Sequence, residues 1–139
     1  LSSSSAASDV YKRQLQEIYQ KDRWKMLVCC IMLNLTNRRQ VDGVRKILFK
    51  KYPTAKHMMK ADEMELALLL KPLGLYNRRA KTLIRFSREY AKGFNNIGEL
   101  YGIGRYAMDS WEIFQNDNTR IEPTDKVLLQ YLEQEGKTI

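Results

Sequence analysis

The stretch MLVCCIML, from Met26 to Leu33, is apolar at every position. A helix over this stretch has no polar face to turn toward water, so other parts of the fold must surround it. It is also too short to cross a bilayer, for which about 20 residues are needed. The sequence therefore predicts a buried central helix of a globular domain, which begins after the capping residue Asp22 and ends near Leu33.

The rest of the chain shows the 3.6-residue spacing of helices and no convincing polar–apolar alternation of strands. Asp62 and Glu65 have the spacing of a capping box, and Pro53 and Pro72 end the helices that precede them. The fold class predicted is an all-α helical bundle. Besides the central helix, its predicted helices cover residues 41–52, 63–70, 77–90, 105–114 and 124–133, with a short turn at 97–100.

The first fourteen residues, LSSSSAASDVYKRQ, differ in character from the remainder. The serine-rich start is typical of disorder, and DVYKRQ resembles a translated sequencing adapter. We therefore exclude residues 1–14 from the fold. We expect one domain over residues 15–139, which could be truncated at both ends.

The only two cysteines, Cys29 and Cys30, lie inside the apolar stretch. Adjacent cysteines in an apolar helix are most simply reduced core residues. They cannot supply the ligand set of a zinc site or an iron–sulfur cluster. We expect no cofactor, no iron–sulfur cluster and no metal.

The net charge of +8 is unevenly distributed. Residues 34–56 and residues 71–92 each carry seven Lys or Arg against one acidic residue, whereas residues 93–139 carry four basic and eight acidic residues. Two basic segments with an acidic final third indicate a one-sided surface for a polyanion. Solvated helix faces would show the same charges.

The segment LYGIGRY places Gly102 and Gly104 on either side of Ile103. It lacks the third glycine and the preceding strand of a dinucleotide fingerprint, and it lacks the Gly-Lys-Ser/Thr ending of a Walker loop. It fits a tight turn between two helices, where backbone N–H groups of Gly102, Ile103, Gly104 and Arg105 would face a phosphate at the positive end of a helix dipole. An ordinary turn has the same pattern.

LYGIGRY is followed, twenty-one residues after Gly104, by Asp125 in IEPTDKVLLQY. This combination resembles the helix-hairpin-helix, Gly/Pro-Asp (HhH-GPD) superfamily of DNA glycosylases, and most closely its methyl-CpG-binding domain protein 4 group of thymine and uracil mismatch glycosylases. The resemblance covers residues 15–131 and implies an HhH-GPD glycosylase fold with a catalytic cleft. The other matching stretches are LQEIYQKDRWKMLV, MLNLT, KKYPTA, LLKPLGLYNRRAKTLIRFSREY and LYGIGRYAMDSWEIF.

The resemblance implies that Asp125 is catalytic. A carboxylate there could stabilise the positive charge on the sugar or activate the attacking water, and the sequence does not choose between these roles. Asp125 could instead cap the last helix, for which Thr124 competes. Val127 departs from the family pattern, which can place a Lys there.

Three further residues are matched to the base pocket. Gln16 corresponds to a family glutamine that reads the polar edge of a flipped pyrimidine, and Leu33 would line the pocket or belong to the core. Tyr106 takes the place of a Schiff-base Lys in bifunctional relatives. A phenol forms no imine, so the resemblance implies a glycosylase without lyase activity. The alternatives are a solvated Gln16 and a core Tyr106.

Asn34 and Leu35 match the segment that fills the gap left by the flipped nucleotide. Relatives carry Arg at Leu35; an apolar side chain there can hold the stack open but cannot hydrogen-bond the opposing guanine or a phosphate. Leu73, Gly74 and Leu75 match a loop that touches the orphan base, which is the base left unpaired opposite the flipped nucleotide. A loop that merely ends a helix would have the same sequence. Further candidate phosphate partners are Arg38, Arg39, Arg78, Arg79, Lys81 and Arg105. Asp109 matches a family position without an assigned role.

Together the resemblance and the charge predict a monofunctional DNA glycosylase of base excision repair that removes T or U from mismatches with G and leaves an abasic site. The expected partner is double-stranded DNA with a mismatched or damaged base, and we expect a monomer without membrane attachment, in a nucleus or a prokaryotic nucleoid. Two alternatives stay open: a non-catalytic helix-hairpin-helix DNA-binding module, or a glycosylase for another damaged base.

Overall fold

The computed structural model describes residues 13–116 and 126–134, and within these ranges it consists of helices and turns without strands. The all-α prediction is therefore confirmed for this part of the chain. Short 3₁₀ turns at Lys71–Leu73 and Ile97–Glu99 separate some of the helices. The helices are α1 Leu15–Ile18, α2 Arg23–Met32, α3 Arg38–Lys51, α4 Ala55–Met59, α5 Glu63–Leu69, α6 Tyr76–Lys92, α7 Arg105–Phe114 and α8 Lys126–Gln134.

Helix α2 is the centre of the fold, as its apolar sequence predicts. Its residues from Met26 to Cys29 are fully buried, and it packs against α1, α3, α6 and α7. The Asp22 side chain accepts a hydrogen bond from the backbone N–H of Lys25 at 3.1 Å, which caps the first turn. Cys29 and Cys30 are buried and form no disulfide, as predicted. Burial raises the pKa of the Cys29 thiol well above its ordinary value, so this side chain stays neutral.

Helix α6 joins the central helix to the outer helices α4 and α5. Its buried face includes Leu83 and Phe86, and its opposite face carries exposed basic residues. The indole Nε1 of Trp24 donates a hydrogen bond of 3.0 Å to the Oγ of Ser87, which ties α2 to α6 inside the core. The basic face is thereby held in a fixed position relative to α2.

The sequence pattern did not predict α1 and α4, because four and five residues are too few to display helical periodicity. Of the capping box predicted at Asp62, the cap by Asp62 is confirmed and the reciprocal hydrogen bond from Glu65 is wrong. Asp62 accepts hydrogen bonds from the N–H groups of Met64 and Glu65, but the Glu65 carboxylate pairs with Lys51 at 3.5 Å rather than returning to the cap. No helix in the described part of the chain is both long enough and apolar enough to span a membrane.

Candidate base-binding cleft and nucleic-acid interface

A cleft of about 800 Å³ opens between the C-terminal end of α2 and the start of α7. Helix α1 forms one wall, and the turn that follows α2 forms another. Predicted site residues that line it are Gln16, Leu33, Asn34, Leu35, Arg38, Gly102, Gly104, Arg105 and Tyr106. Six lining residues were not predicted: Gln14, Leu15, Cys30, Thr36, Asn37 and Ala107. The cleft thus joins residues that are separated by as many as 93 positions in the chain, from Gln14 to Ala107.

A buried hydrogen-bonded cluster lies at the wall formed by α1 and α7. The Nε2 of Gln16 donates to the hydroxyl of Tyr106 at 2.7 Å and to the Oγ of Ser110 at 3.0 Å. Gln16 is 1% exposed and Ser110 is fully buried. The Oε1 of Gln16 is buried and has no hydrogen-bond partner among the described residues. Ser110 was missed because a serine one turn after Tyr106 carries no signal of function by itself.

The turn from Leu33 to Asn37 forms the rim of the cleft. Leu35 has a φ of 60°, in the left-handed region that a leucine rarely adopts, and it is 80% exposed. The turn is held on both sides, because the Thr36 hydroxyl donates to the carbonyl of Met32 and the Asn37 side chain caps α3. The structure thus presents a large apolar side chain to solvent on a fixed, strained backbone.

The loop from Pro72 to Leu75 lies beside the start of α3 and outside the cleft lining. Leu73 is a core residue, only 3% exposed. Both backbone polar groups of Gly74 are already engaged, since its N–H donates to the Lys71 carbonyl at 3.1 Å and its carbonyl accepts from Nε of Arg79 at 2.8 Å. Leu75, with a φ of 48° and 54% exposure, is the large apolar side chain that this loop exposes to solvent.

Gln40 connects this loop to the rim turn. Its Oε1 accepts from the N–H of Asn37 at 3.0 Å, which completes a capping box on α3. Its Nε2 donates to the carbonyl of Pro72 at 3.2 Å. The exposed Leu35 and Leu75 therefore lie on two segments that the Gln40 side chain joins by hydrogen bonds.

The hairpin between Leu100 and Arg105 is built around Gly102, whose φ is 88°. A Cβ at Gly102 would lie 2.9 Å from the Cγ2 of Thr82 on α6, so the hairpin and α6 are in close contact. Gly104 precedes α7 and supplies no side-chain cap. The first N–H groups of a helix have no partner within the helix, so this end of α7 favours an anion.

The hairpin is also held by Glu89 of α6. Its carboxylate accepts the backbone N–H of Tyr101 at 2.9 Å and the Nε of Arg85 at 3.0 Å. The hydrogen bond from Tyr101 lowers the pKa of Glu89 below its ordinary value, aided by Arg85. The Arg85 guanidinium lies 4.0 Å from the centre of the Tyr101 ring. The exposed Arg85 was not predicted, and its position places a cation beside the hairpin.

We expect the two hairpin glycines to respond differently to substitution. Gly102→Ala introduces a left-handed alanine, which costs about 1–2 kcal/mol, and forces the Thr82 side chain to move. Gly104→Ala meets open space at a φ of −101°, so only the poorer N-cap preference of alanine opposes it, and we expect a loss below about 1 kcal/mol. Urea unfolding of both variants measures the difference. Equal losses would contradict this account of the hairpin.

The predicted phosphate partners occupy different environments. Arg39, Arg78 and Lys81 are exposed, and Arg78 and Lys81 lie on the basic face of α6. Arg79 differs from the prediction, because its side chain is buried and bonded to Gly74. Burial lowers the pKa of Arg79, and its evident role is to order the loop from Pro72 to Leu75.

Arg38 lines the cleft but already has partners. Its Nε donates to Asp42 at 2.9 Å, and the same carboxylate accepts from Arg45 at 2.8 Å. Burial opposes ionisation of Asp42, yet these two hydrogen bonds outweigh it and lower its pKa. Arg38 is thus held in a defined orientation at the mouth of the cleft.

Arg105 and Asp109 form an ion pair of 3.5 Å on the first turns of α7. Burial raises the pKa of the Asp109 carboxyl, and Arg105 opposes that rise. Asp109 therefore positions Arg105, whose side chain is 63% exposed at the edge of the cleft. Ile103 is half-buried and packs against the core.

Asp125, the predicted catalytic residue, lies outside the described residues, as does the side chain of Val127. Within the described part of the chain, no group of three or more His, Cys, Asp or Glu side chains could hold a metal ion.

Comparison with known proteins places this arrangement in a family. The model of the HhH-GPD superfamily of base excision DNA repair proteins matches residues 28–135. The methyl-CpG-binding domain protein 4-like protein of Arabidopsis thaliana is 36% identical over 148 residues, which cover 94% of this chain and 33% of the plant protein. The thymine-DNA glycosylase of Aeropyrum pernix is 32% identical over 93 residues, covering 61% of this chain and 42% of that protein.

A solved structure of a thermostable thymine-DNA glycosylase shares the fold. It superposes with a TM-score of 0.72 at 22% sequence identity, over 89% of this chain and 60% of that protein. The likeness confirms the predicted fold. The chain spans about a third to two fifths of the length of the curated relatives named above.

Proposed function

Since the chain belongs to the HhH-GPD superfamily of base excision DNA repair proteins, we propose that it is a DNA glycosylase that hydrolyses the N-glycosidic bond of T or U mismatched with G. Relatives named as thymine-DNA glycosylase and as thymine/uracil-DNA glycosylase support this substrate class. A mismatched base is easier to extrude from the duplex than a paired one, which supplies part of the selectivity.

The observation that carries the proposal is the cleft itself. Its volume of about 800 Å³ accommodates an extruded nucleotide, and Gln16 presents a buried, unpartnered oxygen among the residues that line it. A buried acceptor without a partner is costly, so an incoming donor is favoured there. Gln16 and Tyr106 would contact the base, and Leu33 would cover its apolar surface.

Leu35 is proposed as the wedge, with Asn34 beside it. Its exposure and its strained backbone are difficult to explain by folding alone, because the exposed side chain buries little surface. Inserted between bases, an apolar side chain keeps the stack open after the nucleotide leaves. Leu75 is proposed to contact the orphan base, on a loop held by Arg79.

Phosphate binding is assigned to the hairpin and to the nearby cations. The N–H groups of Gly102 in the hairpin and of Gly104 and Arg105 at the start of α7 would hold one phosphate without reading sequence. The N–H of Ile103, which the sequence also predicted to face a phosphate, already donates to the carbonyl of Leu100 at 3.3 Å. Arg39, Arg78 and Lys81 are exposed candidates for further phosphates, and Arg85 joins them beside the hairpin. Arg38 would act from the cleft mouth.

Catalysis is assigned to Asp125 on the basis of the family and the spacing of Asp125 from the hairpin. As the glycosidic bond breaks, the sugar gains positive charge. A carboxylate at ~4 Å lowers the energy of that charge by about 4 kcal/mol at an effective dielectric constant near 20. The same group could orient and deprotonate the water that attacks the sugar, which contributes roughly 10²–10⁴ in rate.

We infer that the enzyme leaves an abasic site without cutting the strand. Tyr106 lines the cleft where a lyase of this superfamily would place an amine, and a phenol forms no imine with the sugar. Borohydride treatment of the protein with uracil-containing DNA is expected to give no covalent adduct. A trapped complex would show that another amine of the chain acts as a lyase.

The proposed partner is double-stranded DNA with a mismatch or a damaged base, bound by a monomer without membrane attachment. Its place in the cell would be the compartment of the genome, which is the nucleus in a eukaryote and the nucleoid in a prokaryote. No cofactor is required by the proposed hydrolysis.

A panel of duplexes, each with one lesion, tests the function. We expect release of uracil and thymine opposite guanine, measured by alkaline cleavage of the resulting abasic sites. Release of an alkylated purine or of adenine instead would assign a different damage specificity. Salt-sensitive binding without release of any base would indicate a non-catalytic DNA-binding module and overturn the proposal.

A further inference from the structure

Gln16 is held by two hydroxyl groups that come from the same face of α7. Tyr106 and Ser110 are one helical turn apart, and both accept from the single nitrogen of the Gln16 carboxamide, at 2.7 Å and 3.0 Å. A carboxamide has two N–H donors and one acceptor oxygen. Both donors are therefore used within the protein, and the oxygen is the polar group that is left for a ligand.

Ser110 contributes to this arrangement without lining the cleft. It is fully buried, and the cleft is lined by the residues of α7 from Arg105 to Ala107. In the structure the Oγ of Ser110 accepts a hydrogen bond of 3.0 Å from the Nε2 of Gln16, and a flip of the carboxamide would break this bond.

The orientation of the carboxamide decides which base the cleft accepts. Uracil and thymine carry an N–H at N3, which can donate to the Gln16 oxygen. Cytosine carries a lone pair at N3, so two acceptors would face each other in a site without water. A carboxamide turned the other way would present N–H donors and would reverse this preference.

We propose that Ser110 is a positioning residue that holds the Gln16 carboxamide with its oxygen available to the cleft and thereby selects bases that carry a donor at N3 over cytosine. The proposal rests on the proposed glycosylase function. It assigns the rejection of cytosine, which vastly outnumbers uracil in DNA, to a residue that touches no base.

The test compares Ser110→Ala with Ser87→Ala. Ser87 is an equally buried serine that accepts one hydrogen bond, from Trp24, in a part of the core away from the cleft. The readout is the ratio of single-turnover excision rates for 5-fluorouracil and 5-fluorocytosine opposite guanine, since the fluorine makes both bases better leaving groups. The cost of opening each pair is the same for every variant and cancels in the comparison.

We expect Ser110→Ala to narrow the preference for 5-fluorouracil by about tenfold, which corresponds to one hydrogen bond of about 1.4 kcal/mol. Ser87→Ala is expected to keep the wild-type ratio at a similar loss of thermal stability. Ser110→Cys preserves the volume and a weak acceptor, so its excision ratio should fall between that of Ser110→Ala and that of the wild-type protein. This variant keeps the test valid if Ser110→Ala unfolds.

A ratio in Ser110→Ala and Ser110→Cys equal to that of the wild-type protein would overturn the proposal while leaving the glycosylase function intact. If the wild-type protein releases none of 5-fluorouracil, 5-fluorocytosine and uracil from any duplex, the proposed function fails, and the role of Ser110 fails with it.

Discussion

An Asp125→Asn variant is expected to lose about a thousandfold in the rate of uracil excision while it keeps its affinity for mismatched DNA. The loss follows from the removal of a charge that stabilises the cationic sugar by about 4 kcal/mol. Asparagine has nearly the volume of aspartate and caps a helix equally well, so a purely structural role at the start of α8 would survive the substitution. Single-turnover excision from a U·G duplex and fluorescence anisotropy of the same duplex measure the two quantities.

Asp62→Asn is the matched control for this variant. Asp62 caps α5 through hydrogen bonds to Met64 and Glu65, and asparagine preserves that role. We expect excision at the wild-type rate. Activity of Asp125→Asn within a few-fold of the wild-type rate would remove Asp125 from the chemistry and leave it as a capping residue.

A Leu35→Gly variant is expected to excise uracil from duplex DNA about 10–100-fold more slowly and to be no less stable than the wild-type protein. Without the wedge, the cost of unstacking, a few kcal/mol per step, is no longer offset. Stability should be equal or rise by up to about 1 kcal/mol, because glycine adopts the φ of 60° without strain. Excision from single-stranded DNA, which needs no wedge, should change far less.

Leu75→Gly provides the comparison, since it relieves the same kind of backbone strain outside the cleft. We expect this variant to change the ratio of excision from U·G and U·A duplexes, whereas Leu35→Gly lowers both rates in proportion. If Leu35→Gly loses as much activity on single strands as on duplexes, Leu35 shapes the pocket and is not a wedge.

Sequence reasoning predicted most of the helices, because their apolar spacing and their capping residues are local. It failed for α1 and α4, which are too short to show a period. It also failed for Glu65, since the competing partner Lys51 comes from another helix. The prediction thus failed where a helix was too short to show a periodic pattern, or where a contact with a residue distant in the chain decided the position of a side chain.

The candidate site divides in the same way. The motifs LYGIGRY and KPLGLY predicted the hairpin and the loop, and the resemblance matched Gln16 and Tyr106 to one pocket. They did not predict that Arg79 would be buried against Gly74, or that the core would contain Leu73 but not Leu75. Whether Leu73 or Leu75 is buried depends on the backbone dihedral angles of the loop, which the order of apolar residues in the sequence does not specify.

The sequence by itself determined the helical class of the protein, its basic segments, its hairpin and its family, because these depend on residue types at short, fixed spacings. Only the tertiary structure decided that Gln16 directs both of its donors to Tyr106 and Ser110 and that Gln40 ties the rim turn to the loop from Pro72 to Leu75. Hydrogen-bond direction and burial arise where distant segments meet, and no local pattern specifies which atoms are left for a ligand.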